Sequence, residues 1–401
     1  MISSRRLVAV ATIAAIALAA CGDDDDDDAA TTTAAPATAT PATAAPATAT
    51  TTEGSAAATA PATDVDYSAI SGTLIGAGAS SQAAAMQAWQ AGFQTLATDA
   101  TVEYDPVGSG GGRETFLAGG SDFAGSDAYL KDEELTASLD ACAGDKGAVD
   151  LPHYISPIAV AYNVPALEGT TLNLSPETLA KIFANQITNW NDAAIAADNP
   201  GVELPDLNLN PVHRSDDSGT TQNFTDYLSK VAPDVWTYGA IQDWGGDGPG
   251  GGEGADKTSG VVAAIDAGEG SIGYADESQI GDLPPAAIGV GTAFVTPSAE
   301  GAAKVLDISP RAEGRPEGDF AFDLVRETSE AGVYPIVLVS YHVVCLQYDS
   351  QEKADLVKAF MTYVGSEEGQ AAAAETAGSA PISDDLREQM LAVISQISAA
   401  S

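Results

Sequence analysis

Residues 73–81 read Thr-Leu-Ile-Gly-Ala-Gly-Ala-Ser-Ser, and Met86, Trp89, Phe93 and Leu96 follow at helical spacing. A short apolar run, a glycine turn closing on hydroxyls and a one-faced helical pattern spell strand, turn, helix. The same punctuation returns at Val102-Glu103-Tyr104, which leads to Gly108-Ser109-Gly110-Gly111-Gly112 and a helix carrying Phe116 and Leu117. A third copy runs Pro211-Val212-His213-Arg214, Ser215-Asp216-Asp217, Ser218-Gly219-Thr220-Thr221, with Phe224, Tyr227, Leu228 and Val231 on the helix face. Strands alternating with helices predict an α/β architecture. The aromatic and Met positions on these helices are core positions, not site residues.

Around these turns, residues 152–164 and 334–346 read as long apolar strands able to cross between two lobes. Ser175-Pro176 opens a helix with a capping hydroxyl and a proline at the first helical position. The glycine-rich run 245–254 reads as a surface loop. Lys257-Thr258 follows Asp256 where a phosphate loop would need glycine, so that motif is absent.

The N-terminus is of a different kind. Arg5 and Arg6 precede an apolar run, Leu7 to Ala20, too short to span a bilayer, which reads as a secretion signal over 1–20. Leu18-Ala19-Ala20-Cys21 resembles a lipobox, making Cys21 the expected site of lipidation. The paired arginines leave both the general and the twin-arginine export routes open. Asp23 to Asp28 and an Ala/Thr/Pro-rich segment cannot build a core, so 21–65 is expected to be a flexible stalk. As a coil its reach is on the order of 40 Å.

The remaining ~330 residues exceed one ordinary core, so two lobes are expected. The 401-residue chain carries a formal charge of −41, which opposes nucleic acid and anionic lipid surfaces. A small anion is still admissible, because charges beyond roughly 8 Å are screened and a cleft of aimed N–H groups acts locally. Cys142 and Cys345 can form a disulfide or stay as two buried thiols. No Cys/His cluster supports a metal site, and no cofactor is expected.

Each of the three turns puts hydroxyls and glycines at a helix N-terminus, where free N–H groups and the helix dipole favour an anion. One such turn is weak evidence. Three in one chain, one preceded by Arg214, are a specific signal for an oxyanion.

The chain here resembles the phosphate-binding proteins that serve bacterial phosphate ABC transporters, across nearly the whole folded part. The likeness rests on GAGASS at 76–81, GSGGG at 108–112, SDFAGSD at 121–127, NQITNWNDAAIAADNPG at 185–201 and HRSDDSGTT at 213–221. It implies a two-lobed periplasmic-binding-protein fold of type II, two α/β domains joined by two hinge strands with the ligand in the cleft. Lobe I is expected at 66–153 and 334–401, lobe II at 154–333. It also implies phosphate ligands at Ser80, Ser81 through its N–H, Ser109, Asp127, Arg214, Ser218, Gly219 through its N–H, and Thr220. The family usually has Thr then Phe where Ser80 and Ser81 stand, and often a second Ser at Gly110; neither change removes a donor.

Asp127 is informative because a carboxylate beside an anion is unfavourable unless it accepts a proton-bearing oxygen. Phosphate near neutral pH has that proton and sulfate lacks it. Taken alone, Asp127 would read as a turn or helix cap. Asp216 is expected to pair with Arg214 and orient it. The expected partners are phosphate and, by resemblance, a membrane permease, with a monomer lipid-anchored outside the cell membrane and no nucleic acid. Rival readings are a receptor for sulfate, molybdate or arsenate, a phosphatase-type hydrolase using the same cradle, and an adhesive or sensory lipoprotein. The hydrolase lacks a GxSxG elbow and a paired His.

Overall fold

The structure is a computed structural model that describes residues 65–401. The expected signal, Cys21 and all but the last residue of the expected stalk lie outside the described residues. Val65, placed at the stalk's end by composition, is half-buried against the core.

The three glycine turns fold as read. Ser71–Gly78 is a strand followed by the helix Ala83–Leu96, and Asp99–Asp105 leads to the helix Ser109–Leu117. Asn210–Arg214 leads to the helix Gly219–Val231, whose cap Ser218 accepts from the Thr221 N–H. Pro176–Phe183 is helical with Ser175 as its cap. Local capping chemistry suffices to start these helices, because side-chain oxygens satisfy N–H groups that a helix leaves unpaired.

Eight strands form one mixed sheet. In spatial order they are Asp99–Asp105, Ser71–Gly78, Phe123–Ser126, Val337–Cys345, Ala148–Tyr162, Ser271–Asp276, Asn210–Arg214 and Glu253–Ala255. The first three run parallel to one another, as do the last three. Ala148–Tyr162 and Val337–Cys345 lie antiparallel at the centre and are buried along their whole length. Covered on both faces, they read as long, mainly apolar runs rather than strictly alternating ones.

The long strand serves both halves of the sheet. From Ala148 to Pro157 it pairs with the return strand, and from Ile158 to Tyr162 with Ser271–Asp276. The exchange of partners falls four residues beyond the expected boundary at 153/154. The strand also starts four residues earlier than read, because Asp150 interrupts the apolar pattern. Asp150 is nevertheless buried: Arg315 Nη2 donates to it at 2.6 Å and the Leu130 N–H at 3.2 Å. The segment carrying Arg315, expected with lobe II, is thereby bonded to the half holding Leu130, and Phe320 N donates to Asp150 O at 3.0 Å. A buried carboxylate partnered from 165 residues away leaves no periodic trace in the sequence.

Aromatic side chains fill both halves. Trp89, Phe123 and Phe360 surround His342 in one, and Phe224 stacks on Tyr274 at 4.3 Å beside Phe183 in the other. Cys142 and Cys345 are joined in a disulfide, Cα atoms 5.5 Å apart, closing the alternative of free thiols. Among the described residues no helix is long and apolar enough to cross a membrane.

Candidate functional site

The ends of four strands, three of them with the helices that follow, meet between the two halves of the sheet. Ser80, Ser81, Ser109 and Asp127 come from the first half, Arg214, Ser218, Gly219 and Thr220 from the second, and every polar member is buried. Asp127 is the centre. Ser81 Oγ donates to its Oδ1 at 2.6 Å, Thr220 Oγ1 donates to its Oδ2 at 2.8 Å, and its own N–H donates to Ser109 Oγ at 3.1 Å. The carboxylate is thus bonded from both halves at once. Each of its oxygens keeps a further lone pair for an added donor.

Close approach explains two glycines. A Cβ on Gly219 would lie 2.6 Å from Ser109 Oγ and 2.8 Å from Asp127 Cβ, so any side chain there would wedge the halves apart. Gly108, at φ +95°, occupies a conformation that L side chains rarely adopt, and a Cβ there would meet Asp216 Oδ2 at 2.6 Å.

Arg214 is oriented as read from the sequence. Its Nε donates to Asp216 Oδ1 at 2.6 Å and its Nη2 to Oδ2. Asp216 also accepts the Lys257 N–H at 3.0 Å, so the pair is fixed from two segments. Burial pushes the Asp216 carboxyl up, but the Arg214 hydrogen bond and charge more than reverse this and hold it below its ordinary value. For Asp127 burial prevails: its carboxyl is pushed up, although hydrogen bonds from Ser81 and Thr220 and the charge of Arg214 oppose the shift. The site therefore combines a fixed cation, a ring of hydroxyls and helix N-termini, and one acceptor of elevated proton affinity.

A fourth turn belongs to the cluster and was not read as part of it. Glu253–Ala255, overlapping the end of the run read as a surface loop, is an edge strand beside Asn210–Arg214, and the helix Lys257–Ala267 follows. Thr258 at its start lies with Oγ1 3.0 Å from Ser80 Oγ, and its N–H donates to that oxygen at 3.2 Å. The signal was a glycine run ending on Lys257-Thr258-Ser259, hydroxyls at a helix start, the same cue used for the other three turns. Gln279 was also missed: its Nε2 donates to the carbonyls of Ser80 at 3.0 Å and Ser81 at 2.5 Å, holding the first turn from the other half.

Chemically, this arrangement suits a compact tetrahedral anion that carries a proton. Hydroxyls and N–H groups donate, the guanidinium supplies charge, and Asp127 accepts what only a protonated oxygen can offer.

Comparison with known proteins agrees with that reading. The model of the PBP superfamily domain matches residues 24–368. Phosphate-binding protein PstS 3 of Mycobacterium leprae is 36% identical over 298 residues, spanning 72% of this chain and 78% of that protein. The chain belongs to the PstS-like proteins of the PBP superfamily. Within that family, phosphate-binding protein PstS 3 of Mycobacterium tuberculosis H37Rv is 34% identical over 335 residues, 81% of this chain and 86% of the relative. A solved high-affinity periplasmic phosphate-binding protein, with phosphate bound, superposes with a TM-score of 0.65 at 22% identity, over 79% of this chain and 93% of its own. At that identity the likeness speaks for the fold, the two-lobed α/β architecture of PstS-like proteins.

Proposed function

We propose that this protein captures inorganic phosphate outside the cytoplasm and passes it to an ABC-transporter permease, holding the ion through Ser80, Ser81, Ser109, Asp127, Arg214, Ser218, Gly219 and Thr220. The observation that carries the reading is the buried Asp127 carboxylate, bonded by hydroxyls from both halves of the sheet and acted on by the charge of Arg214. A site for an unprotonated anion has no use for that acceptor, since its lone pairs would face those of the ligand. The PstS relatives, phosphate-binding proteins by name, point the same way.

Capture rather than turnover is supported by where the histidines lie. His153 and His342 face each other in the core at 3.1 Å, and His213 stacks on Trp244 and bonds the Arg214 carbonyl. None of them is hydrogen-bonded to a serine or threonine of the ring. Residues 66–153 with 334–401, and 154–333, would act as two lobes hinged at the paired central strands. Release from a membrane-tethered monomer through the lipidated Cys21 completes the proposal.

Calorimetric titration with phosphate and then sulfate at neutral pH, on protein stripped of ligand by partial unfolding, tests it. Tight one-to-one phosphate binding with negligible sulfate heat is expected. Equal binding of both would remove the role of Asp127, and binding of neither would refute the receptor reading.

A further inference from the structure

Behind the ring lies a buried guanidinium that the capture chemistry does not use. Arg326 sits in the irregular segment ahead of the return strand, with its side chain 1% exposed. Its Nε donates to Asp226 Oδ2 at 2.9 Å, and its Nη1 donates to the carbonyls of Pro335 at 3.2 Å and Val337 at 2.7 Å. Its Nη2 donates to Asn223 Oδ1 at 2.5 Å. Burying a charge is costly unless it is bonded throughout, and here four bonds meet it. They tie the root of the central return strand to the helix Gly219–Val231, which carries Asn223 and Asp226 as well as Gly219 and Thr220.

Asn223 completes the connection. Its Nδ2 donates to the main-chain carbonyl of Asp127 at 2.7 Å and to Gly219 O at 3.0 Å. A guanidinium has no acceptor, so only the Asn223 oxygen can face Arg326. A flipped amide would set its NH2 against Nη2 and its oxygen against two carbonyl oxygens. Arg326 therefore dictates that the Asn223 donor points at Asp127. The bond it makes joins the two halves of the sheet at the residue that accepts the ligand proton, from the main-chain side and not the carboxylate side. Asn223, Gly219 and Asp226 share one helix, so of the Asn223 bonds opening the cleft breaks the one to Asp127 and leaves the donor aimed for reclosure.

We propose that Arg326 and Asn223 are positioning residues that latch the closed cleft through the Asp127 carbonyl and set how slowly the bound anion leaves. The inference rests on the phosphate-capture reading. A preformed donor makes reclosure easy without adding a ligand contact, so the latch governs release and not selectivity.

The test is release of radiolabelled phosphate from the full-length protein into excess unlabelled phosphate, for wild type, Asn223→Ala, Arg326→Met and the double variant. Asn223→Ala leaves the Arg326 counter-charge in place. It frees one N–H beside a cavity also lined by Gln222, Lys230 and Tyr341, where water can take the bond, so it keeps the test valid if Arg326→Met folds poorly. Each single variant should release phosphate about tenfold faster, the loss expected for one buried hydrogen bond. The association rate should stay within about twofold. The preference for phosphate over sulfate should not change. The double variant should be no faster than Arg326→Met alone, because the two act in series. Unchanged release from Asn223→Ala, multiplied effects in the double variant, or an altered phosphate preference would each overturn the latch. Wild type that binds no phosphate would instead sink the reading on which it rests.

Discussion

Replacing Asp127 by Asn tests the acceptor role while leaving shape and packing almost unchanged. In the native protein each carboxylate oxygen takes one hydroxyl, from Ser81 at 2.6 Å and Thr220 at 2.8 Å, and hydroxyls can rotate to accept from an amide instead. The variant should therefore fold. A hydrogen bond to a charged group contributes about 1.5–3 kcal/mol, so phosphate affinity should fall roughly ten- to a hundredfold. Sulfate should gain, since repulsion by a carboxylate gives way to an amide donor, by about tenfold for one neutral bond. The preference for phosphate then contracts by about two to three orders of magnitude in paired titrations. The ligand-free protein should change the opposite way. Burial raises the Asp127 carboxyl above its ordinary 3.8, so its ionisation opposes folding as pH rises from 3.8 through the raised folded value. Asp127→Asn should melt higher than wild type at neutral pH, with the gap closing as the solution is acidified through that window. An unchanged phosphate-to-sulfate ratio would refute the acceptor role outright.

Arg214→Ala should abolish tight phosphate binding in the same titration, since it removes the buried positive charge and leaves Asp216 without its counter-charge; wild-type affinity in this variant would disprove the site. Thr258→Val keeps the N–H that bonds Ser80 but loses the hydroxyl at 3.0 Å, and should weaken phosphate by about tenfold, the size of one neutral hydrogen bond. Asp276, buried under Tyr154 and Ser278, is pushed up to about 7 chiefly by burial. Between pH 4 and 7 it stays protonated folded but ionises unfolded, so stability should fall by about 1.4 kcal/mol per pH unit from this group, a slope that Asp276→Asn should remove in urea melts. Reducing the Cys142–Cys345 bridge, which spans 203 residues, should lower the unfolding free energy by about 3–5 kcal/mol, seen as a lower urea midpoint with phosphate binding intact below it.

Much of this protein was legible along the chain because the relevant forces act within a few residues. Ser218 capping Thr221, Ser175 capping Thr178 and Arg214 gripping Asp216 are contacts of two or three positions, and side-chain type and spacing alone determine them. The three strand, glycine and helix units, and the expectation that they hold an anion, follow from those local rules. The sequence could not say which turns would face one another. Ser81 meets Asp127 across 46 residues, Ser80 meets Thr258 across 178 and Arg326 meets Asn223 across 103. Such pairs leave no periodic or capping signature, so Thr258 reads as a failed motif and Arg326 carries no cue in the sequence. What brings them together is the packing of two half-sheets on one shared, wholly buried strand. Burial then changes what the residues do: Asp127, by itself a turn cap, becomes an acceptor of raised proton affinity only because the fold removes its water.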